Sequence, residues 1–445
     1  MKKLRVVYEG WGEKFDLGVL ADDGRRILFE YTEEGIRRGI ELSPHSLPLR
    51  AGAAGDFPHF QSRLPGLISD SLPDGWGLLV MDKLMRARGI DTRQLSPLDR
   101  LAFLGNNTMG ALTYHPATEE PLPKQTVDLL ILAEESQKIL EGKSSDVLRE
   151  YVILGGSPHG ARPKVLVNID PATDKAWTTE RSPGIPWLVK FPGDGEHHEV
   201  CAIEKLYADM AQQCDLAIPQ TRYFELGRES DIMRTAFAIQ RFDRQQYMRV
   251  PIHTVAGAAH VDFRIPSSLD YLNLLRLTRA ITRDVREVKS AFERCVFNVV
   301  LNNRDDHPKN FSFRMEQEGQ WRISPAYDVT FCHGPGGEHQ MDVFGEARAI
   351  TRTHLMKLAH AADIPAADAG HVIDRVTEIA GRFAKLATDY PIRTQTVREI
   401  VKAVEANRTR MAGRTQGGVT GEHTQAHDLA DDDHEEVEVP RGPTR

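Results

Sequence analysis

The segment Phe292–Leu301, FERCVFNVVL, reads as a buried helix that runs directly into a polar loop, Asn302–Asn310, NNRDDHPKN. Burying such a helix needs a sizeable core. A chain of 445 residues with 40% hydrophobic and 27% charged residues can build one. The length suggests about two to four structural units rather than one small module. Lys and Arg total 56 against 64 Asp and Glu, a net charge of −8, which argues against a dedicated nucleic-acid binder with bulk basic character.

Within the loop, Arg304-Asp305 is followed by four residues and then Asn310. This R-D-x-x-x-x-N spacing is that of a protein-kinase catalytic loop, with Asn303 where histidine usually stands. The chemistry explains the spacing. One carboxylate must face an attacking hydroxyl, and an amide oxygen one loop-turn later ligates the magnesium that holds a triphosphate. A polar turn would also use Asp and Asn, to satisfy backbone groups. A second carboxylate, Asp328, follows 23 residues after Asp305 in SPAYDV, where a kinase places its other metal-binding Asp. The local sequence is Tyr-Asp-Val rather than Asp-Phe-Gly, so this assignment rests on order and context.

Upstream, Trp187–Pro192 sets Lys190 inside an apolar run of strand character, as in the phosphate-pairing lysine of a kinase strand. The following segment, Glu199–Leu216, has helical apolar spacing and offers Glu199 and Glu204 as partners for Lys190, with no sequence basis for choosing between them. Ahead of the lysine lies GGSPHGARPK, Gly155–Lys164. Its glycines permit close backbone approach to phosphate, and Arg162 and Lys164 add positive charge. It has neither the G-x-G-x-x-G spacing nor that of a Walker A loop. Thr235–Arg244, TAFAIQRFDR, stands where a strand would link two kinase lobes. Taken in order, these parts make up the set needed for Mg-ATP phosphoryl transfer.

With these segments in place, the chain resembles the HipA family, bacterial toxin kinases of type II toxin–antitoxin systems. The motifs carrying the resemblance are SPHSLPLR (Ser43–Arg50), DSLPDGWG (Asp70–Gly77), MGALTY (Met109–Tyr114), GGSPHGARPK, LVKFP (Leu188–Pro192), QRFDR (Gln240–Arg244), NRDDHPKNFSF (Asn303–Phe313) and SPAYDV (Ser324–Val329). They span roughly residues 1–410 in family order. The resemblance implies an α+β, two-lobed protein-kinase-like fold: a small mixed N-lobe, a larger mainly helical C-lobe and an additional N-terminal β-rich subdomain. Its divisions are 1–120 for the N-terminal subdomain, 121–245 for the N-lobe with the glycine-rich loop, 246–410 for the C-lobe and 411–445 for an acidic tail.

The resemblance also implies ATP and Mg2+ as cofactors and a protein Ser/Thr hydroxyl as acceptor, such as that of an aminoacyl-tRNA synthetase. It makes Asp305 the catalytic base and Asn310 and Asp328 the metal ligands. Gly156, Ser157, Gly160, Lys164, Lys190, Gln240, Phe242 and His307 become nucleotide-binding residues. Ser157 matches a loop serine that such kinases autophosphorylate, which would add a charge of about −1.5 to −2 to the loop. A small helix-turn-helix HipB-like antitoxin is the implied partner, with operator DNA bound chiefly through it. Two other readings use the same residues: a non-catalytic nucleotide- or antitoxin-binding regulator, and a kinase for a small metabolite.

The start of the chain reaches Glu9 before any apolar stretch long enough for a signal-peptide core, and no later run approaches transmembrane length, so a cytoplasmic location without membrane contact is expected. Cys201, Cys214, Cys295 and Cys332 lack any metal or redox spacing and read as packing residues. From Met411 onward aliphatic residues nearly vanish and Asp431–Glu436 is acidic, the composition of a disordered tail; His423, His427 and His434 belong to it.

Overall fold

Alternation in KKLRVVY turns Leu4 and Val6 inward and makes Lys2–Tyr8 a strand with one buried face. It is a central strand of an antiparallel sheet ordered Ile27–Tyr31, Phe15–Asp22, Lys2–Tyr8 and Leu112–His115. The turn after the second strand is tied locally. Asp22 accepts the Gly24 N–H, Asp23 accepts those of Arg25 and Arg26, and Gly24 takes φ 87°, which its missing Cβ allows.

The computed structural model describes residues 1–412 apart from 144, 146, 179–182, 230 and 231. The expected acidic tail therefore lies outside the described residues from position 413. Its first expected residue, Met411, instead closes the helix Thr394–Met411 and is buried.

A second sheet has six strands in the order Thr126–Val127, Ala176–Trp177, Lys164–Ile169, Ile185–Lys190, Ile232–Gln240 and Thr221–Glu229. Every adjacent pair is antiparallel, and the register sets Lys164 directly opposite Lys190. The helix Glu199–Gln213 packs on it with Cys201, Ala208 and other small or apolar residues inward. The third part is mainly helical: Tyr271–Thr282, Val285–Val300, Arg352–Ala361, Ala366–Ala380 and Thr394–Met411, beside a small sheet of Ile252–Thr254, Ser312–Met315 and Trp321–Ile323. The helix read from Phe292 begins earlier, at Val285, because Val288 and Ala291 continue the buried face and Asp284 caps its first turn by accepting the Arg286 N–H.

The N-terminal segment is divided between two cores. Its sheet shares a core with the helical part, whereas the helix Gly75–Ala87 buries Trp76, Val80, Met81, Leu84 and Met85 against the six-stranded sheet. The architecture is α+β, as the sequence led one to expect. Among the described residues no helix is long and apolar enough to cross a membrane.

Between these two packings the chain passes through Asp70–Asp74, and side chains anchor it there. Asp70 Oδ2 accepts from His253 Nδ1 at 2.7 Å and from the Thr254 N–H, and His253 Nε2 meets Ser43 Oγ at 3.0 Å. A Ser-His-Asp sequence of contacts suggests a hydrolase, but Ser43 is buried and away from the cleft described below, so here the chain of bonds clamps the N-terminal segment to the helical part. His253→Ala leaves the buried Ser43 and the half-buried Asp70 short of a partner. Unfolding in urea is expected to show a loss of about 2 kcal/mol, and an unchanged midpoint would refute the clamp.

Candidate active site

Where the three parts meet lies a cleft of about 880 Å3. The N-terminal segment lines it with Asp70–Gly75, and the sheet side contributes Pro158–Arg162, Lys164, Lys190, Gln240 and Phe242. The helical side contributes Asp305, His307, Lys309, Asn310, Tyr327 and Asp328. Residues far apart in sequence thus converge on one space.

Lys190 is buried and donates to Glu204 Oε1 and Asp328 Oδ1, each at 2.6 Å. Burial alone would lower its pKa, but Asp328 and Glu204 raise it well above the ordinary lysine value. Asp328 responds in the opposite sense. Burial opposes its ionisation, yet Lys190, Lys164 and Arg162 hold its carboxyl well below the usual range. Asp328 also sits at φ 56°, in the left-handed region sparsely used outside glycine. Lys164 Nζ donates to the His159 carbonyl, and burial and the facing Lys190 push it down to about 8.

Glu204 is therefore the partner of the strand lysine. Glu199 lies at the start of the same helix and instead binds Arg393, through Nε at 2.9 Å and the backbone N–H at 2.8 Å, as well as Thr396.

Asn310 Nδ2 donates to the Asp305 carbonyl at 2.7 Å, which uses the amide nitrogen and leaves the oxygen for another partner. Asp305 has its pKa raised, first by burial and then by Asp328 and Asp306, against the opposing pull of His307, whose Nε2 lies 3.8 Å away. Asp306 faces away from this work. It is buried and accepts from Tyr271 Oη at 2.6 Å, His339 Nδ1 at 2.8 Å and the Gln340 N–H at 2.8 Å, so it anchors the loop base. Asn303 plays a similar part by donating to Asn298 Oδ1 at 2.9 Å. Phe242 and Tyr327 stack with ring centres 5.5 Å apart beside Gln240.

The carboxylate of Asp328 and the amide oxygen of Asn310 are hard oxygen donors of the kind magnesium takes along with substrate phosphates. Among the described residues no group of three or more His, Cys, Asp or Glu could hold a metal without such help.

Two sequence-selected residues lie off the cleft wall. Gly156 ends the helix Leu148–Gly155 at φ 50°, packed so that a Cβ would stand 2.9 Å from the Asn107 carbonyl oxygen. Ser157 is fully buried, and its Oγ accepts the Met109 N–H at 2.8 Å. Gly160 does line the cleft. Among the cysteines, Cys201, Cys214 and Cys295 are buried, but Cys332 is only partly covered and forms part of the cleft wall, so packing does not account for it.

Residues 9–115 match the family profile described as the HipA N-terminal domain, and residues 156–384 match the HipA-like C-terminal domain. The chain belongs to the HipA family. A Sinorhizobium fredii relative named "Putative kinase Y4dM" is 23% identical over 395 residues, covering 84% of this chain and 88% of its own length. "Putative kinase Y4mE" of the same organism is 27% identical over 271 residues, 56% of this chain and 60% of its own. The solved HipA of Shewanella oneidensis MR-1, in a complex with HipB and its operator DNA, shares the fold. Its TM-score is 0.68 at 18% identity, with 92% of this chain and 97% of that chain covered.

The geometry adds members to this HipA-family cleft that the sequence had not singled out. Asp74 pairs with Lys309 Nζ at 2.9 Å and accepts the Gly160 N–H at 2.6 Å. In sequence, Asp74 stands only inside the family motif DSLPDGWG, and Lys309 only as one residue of the loop motif. Arg162, read in sequence only as positive charge in the glycine-rich segment, bridges Glu196 and Glu204 and so extends the Lys190 network. The signal for Asp74 was its place in a family motif; nothing local shows which distant lysine it meets.

Proposed function

We propose that this chain is an ATP-dependent serine/threonine protein kinase, the toxin of a type II toxin–antitoxin pair. The observation that carries the reading is the convergence of Asp305, Asn310, Asp328 and the Lys190–Glu204 pair on one cleft. Magnesium, when bound, would neutralise charge on the phosphates. Asn310 and Asp328 would hold it, and Lys190, oriented by Glu204, would position the nucleotide's phosphates. Asp305 would accept the proton of the attacking hydroxyl, helped by a pKa raised toward that of a working base. Phe242, Tyr327 and Gln240 offer an aromatic and amide surface on which a base can lie. Gly160, Lys164 and His307 would line the phosphate path, and Gly156 would shape the loop leading into it.

The acceptor is proposed to be a protein hydroxyl, with an aminoacyl-tRNA synthetase as the first class to try. A HipB-like helix-turn-helix antitoxin, and operator DNA through it, are the proposed partners. The support is the Shewanella oneidensis complex that contains both.

Radiolabelled Mg-ATP incubated with the purified chain and with cell extract tests the reading. Label is expected in protein bands with wild type and not with Asp305→Asn. Peptide mapping of residues 155–164 is expected to find phosphate on Ser157. Because Ser157 Oγ is buried against Met109, phosphorylation there requires the loop to leave its present position. Absence of label in every protein band, with Mg-ATP bound, would turn the reading toward a small-metabolite acceptor.

A further inference from the structure

The turn Pro73-Asp74-Gly75 enters the cleft from the N-terminal segment and ends between the glycine-rich segment and the loop that carries Asp305. Asp74 Oδ1 accepts the Gly160 N–H at 2.6 Å, and Oδ2 pairs with Lys309 Nζ at 2.9 Å. The turn is pinned on either side. Trp76 N–H donates to the Gly160 carbonyl at 3.0 Å, and His159 Nε2 meets the Leu72 carbonyl at 3.1 Å. Gly75, at φ 42°, lies so near that a Cβ would stand 2.5 Å from the Gly160 oxygen. Upstream, Asp70 is anchored to His253 and Thr254. Asp74 is thus delivered by a segment pinned through these contacts rather than by a free loop.

A backbone N–H of a glycine-rich loop and a lysine ammonium are the donors that phosphate oxygens take. Here a carboxylate already holds one of each. Burial opposes its ionisation, but His159, Lys309 and the Gly160 N–H keep its carboxyl well below the usual range, so the anion persists at neutral pH. Its field also reaches Lys164.

We propose that Asp74 is an autoinhibitory stand-in for a phosphate group, bridging Gly160 and Lys309 so that a nucleoside triphosphate binds fully only when this contact opens. The inference rests on the kinase reading above and adds regulation by the N-terminal segment to it. The bridge costs nucleotide affinity in two ways: its donors are already occupied, and its negative charge repels the incoming phosphates.

Calorimetric titration of Mg-ATP into the full-length protein tests it, with wild type, Asp74→Asn and Asp74→Ala compared. Asparagine keeps an oxygen for the Gly160 N–H and nearly the same shape while losing the charge, so it decides the matter even if the alanine variant fails to fold. The dissociation constant is expected to fall by about tenfold in Asp74→Asn, the scale of one charge-assisted contact. Hydrogen exchange in wild type is expected to speed up in residues 72–76 when Mg-ATP is added. An Asp74→Asn constant equal to or weaker than wild type overturns the proposal while leaving the kinase reading intact. No Mg-ATP binding by wild type or by Asp74→Asn at millimolar nucleotide overturns both.

Discussion

Asp305→Asn is expected to yield a protein that has lost phosphotransfer yet melts at a higher temperature than wild type. The loss follows from removal of the proposed general base, a group worth typically 10²–10⁴-fold in rate. The gain follows from electrostatics. The Asp305 pKa is raised by burial and by the carboxylates of Asp328 and Asp306, so its ionised form is less favourable in the folded chain than in the unfolded one. A group of this kind supports the fold in its protonated state, and that support is lost as pH rises through the folded pKa. Asparagine resembles the protonated acid at every pH. The stability difference between variant and wild type is therefore expected to be present at neutral pH and to shrink on acidification, as wild-type Asp305 takes up its proton. The acid limb of the wild-type rate profile should lie above the ordinary aspartate value of 3.8 for the same reason. Scanning calorimetry and initial rates of label transfer measure both effects. A variant that kept the wild-type rate would remove Asp305 from the chemistry, and one that melted lower would contradict the electrostatic account.

Lys190→Met is expected to cost the most in stability. Lys190 Nζ bridges Glu204 and Asp328 at 2.6 Å each, and both the lysine and Glu204 are buried. Methionine fills the space but leaves carboxylates in a poorly solvated place, with Arg162 Nη1 still at 3.3 Å from Glu204. Breaking one side of a buried ion pair costs about 3–5 kcal/mol. Replacing Glu204 as well, in Lys190→Met with Glu204→Gln, is expected to restore part of that stability while phosphotransfer stays absent, which separates folding from positioning. The pH dependence has a defined sign. The lysine's contribution holds below the unfolded lysine value of 10.5 and is lost only as pH rises through a folded value still higher. The Asp328 contribution holds above the unfolded aspartate value of 3.8 and is lost as pH falls through its lowered folded value. The gap between wild type and Lys190→Met should thus be nearly constant between pH 7 and 9 and begin to narrow by about pH 3, below the unfolded aspartate value. Urea titrations at pH 3, 7 and 9, conditions of roughly these regimes, test it. Equal midpoints at pH 7 would mean that the bridge contributes nothing.

The composition of the candidate site was legible in the sequence wherever chemistry depends on local spacing. Asp305 and Asn310 are separated by four residues in one loop, so the chain alone sets the reach between a carboxylate and an amide. Lys190 stands at the end of an apolar strand whose neighbours dictate its burial. The family motifs likewise occur as contiguous words, and these determined the fold class without any distance being known.

Only the tertiary structure decided matters that depend on through-space contact. Glu199 and Glu204 are equivalent as a list of acids, but five residues along a helix turn the side chain by about 140°. One therefore meets Lys190, and the other meets Arg393, just ahead of the C-terminal helix Thr394–Met411. Ser157 reads as a loop serine matching an autophosphorylation site, and only the structure shows it buried against Met109; Cys332 reads as packing until it is found on the cleft wall. Asp74 and Lys309 are 235 positions apart, and no periodicity or turn signal relates them. Their contact exists because the N-terminal segment packs its sheet on one core and its next helix on the other, which forces the connecting turn through the cleft. Local sequence sets which groups are available and what state each prefers in isolation; the packing of distant segments sets which of them share a dielectric and a distance, and therefore which charges are held and which protons can move.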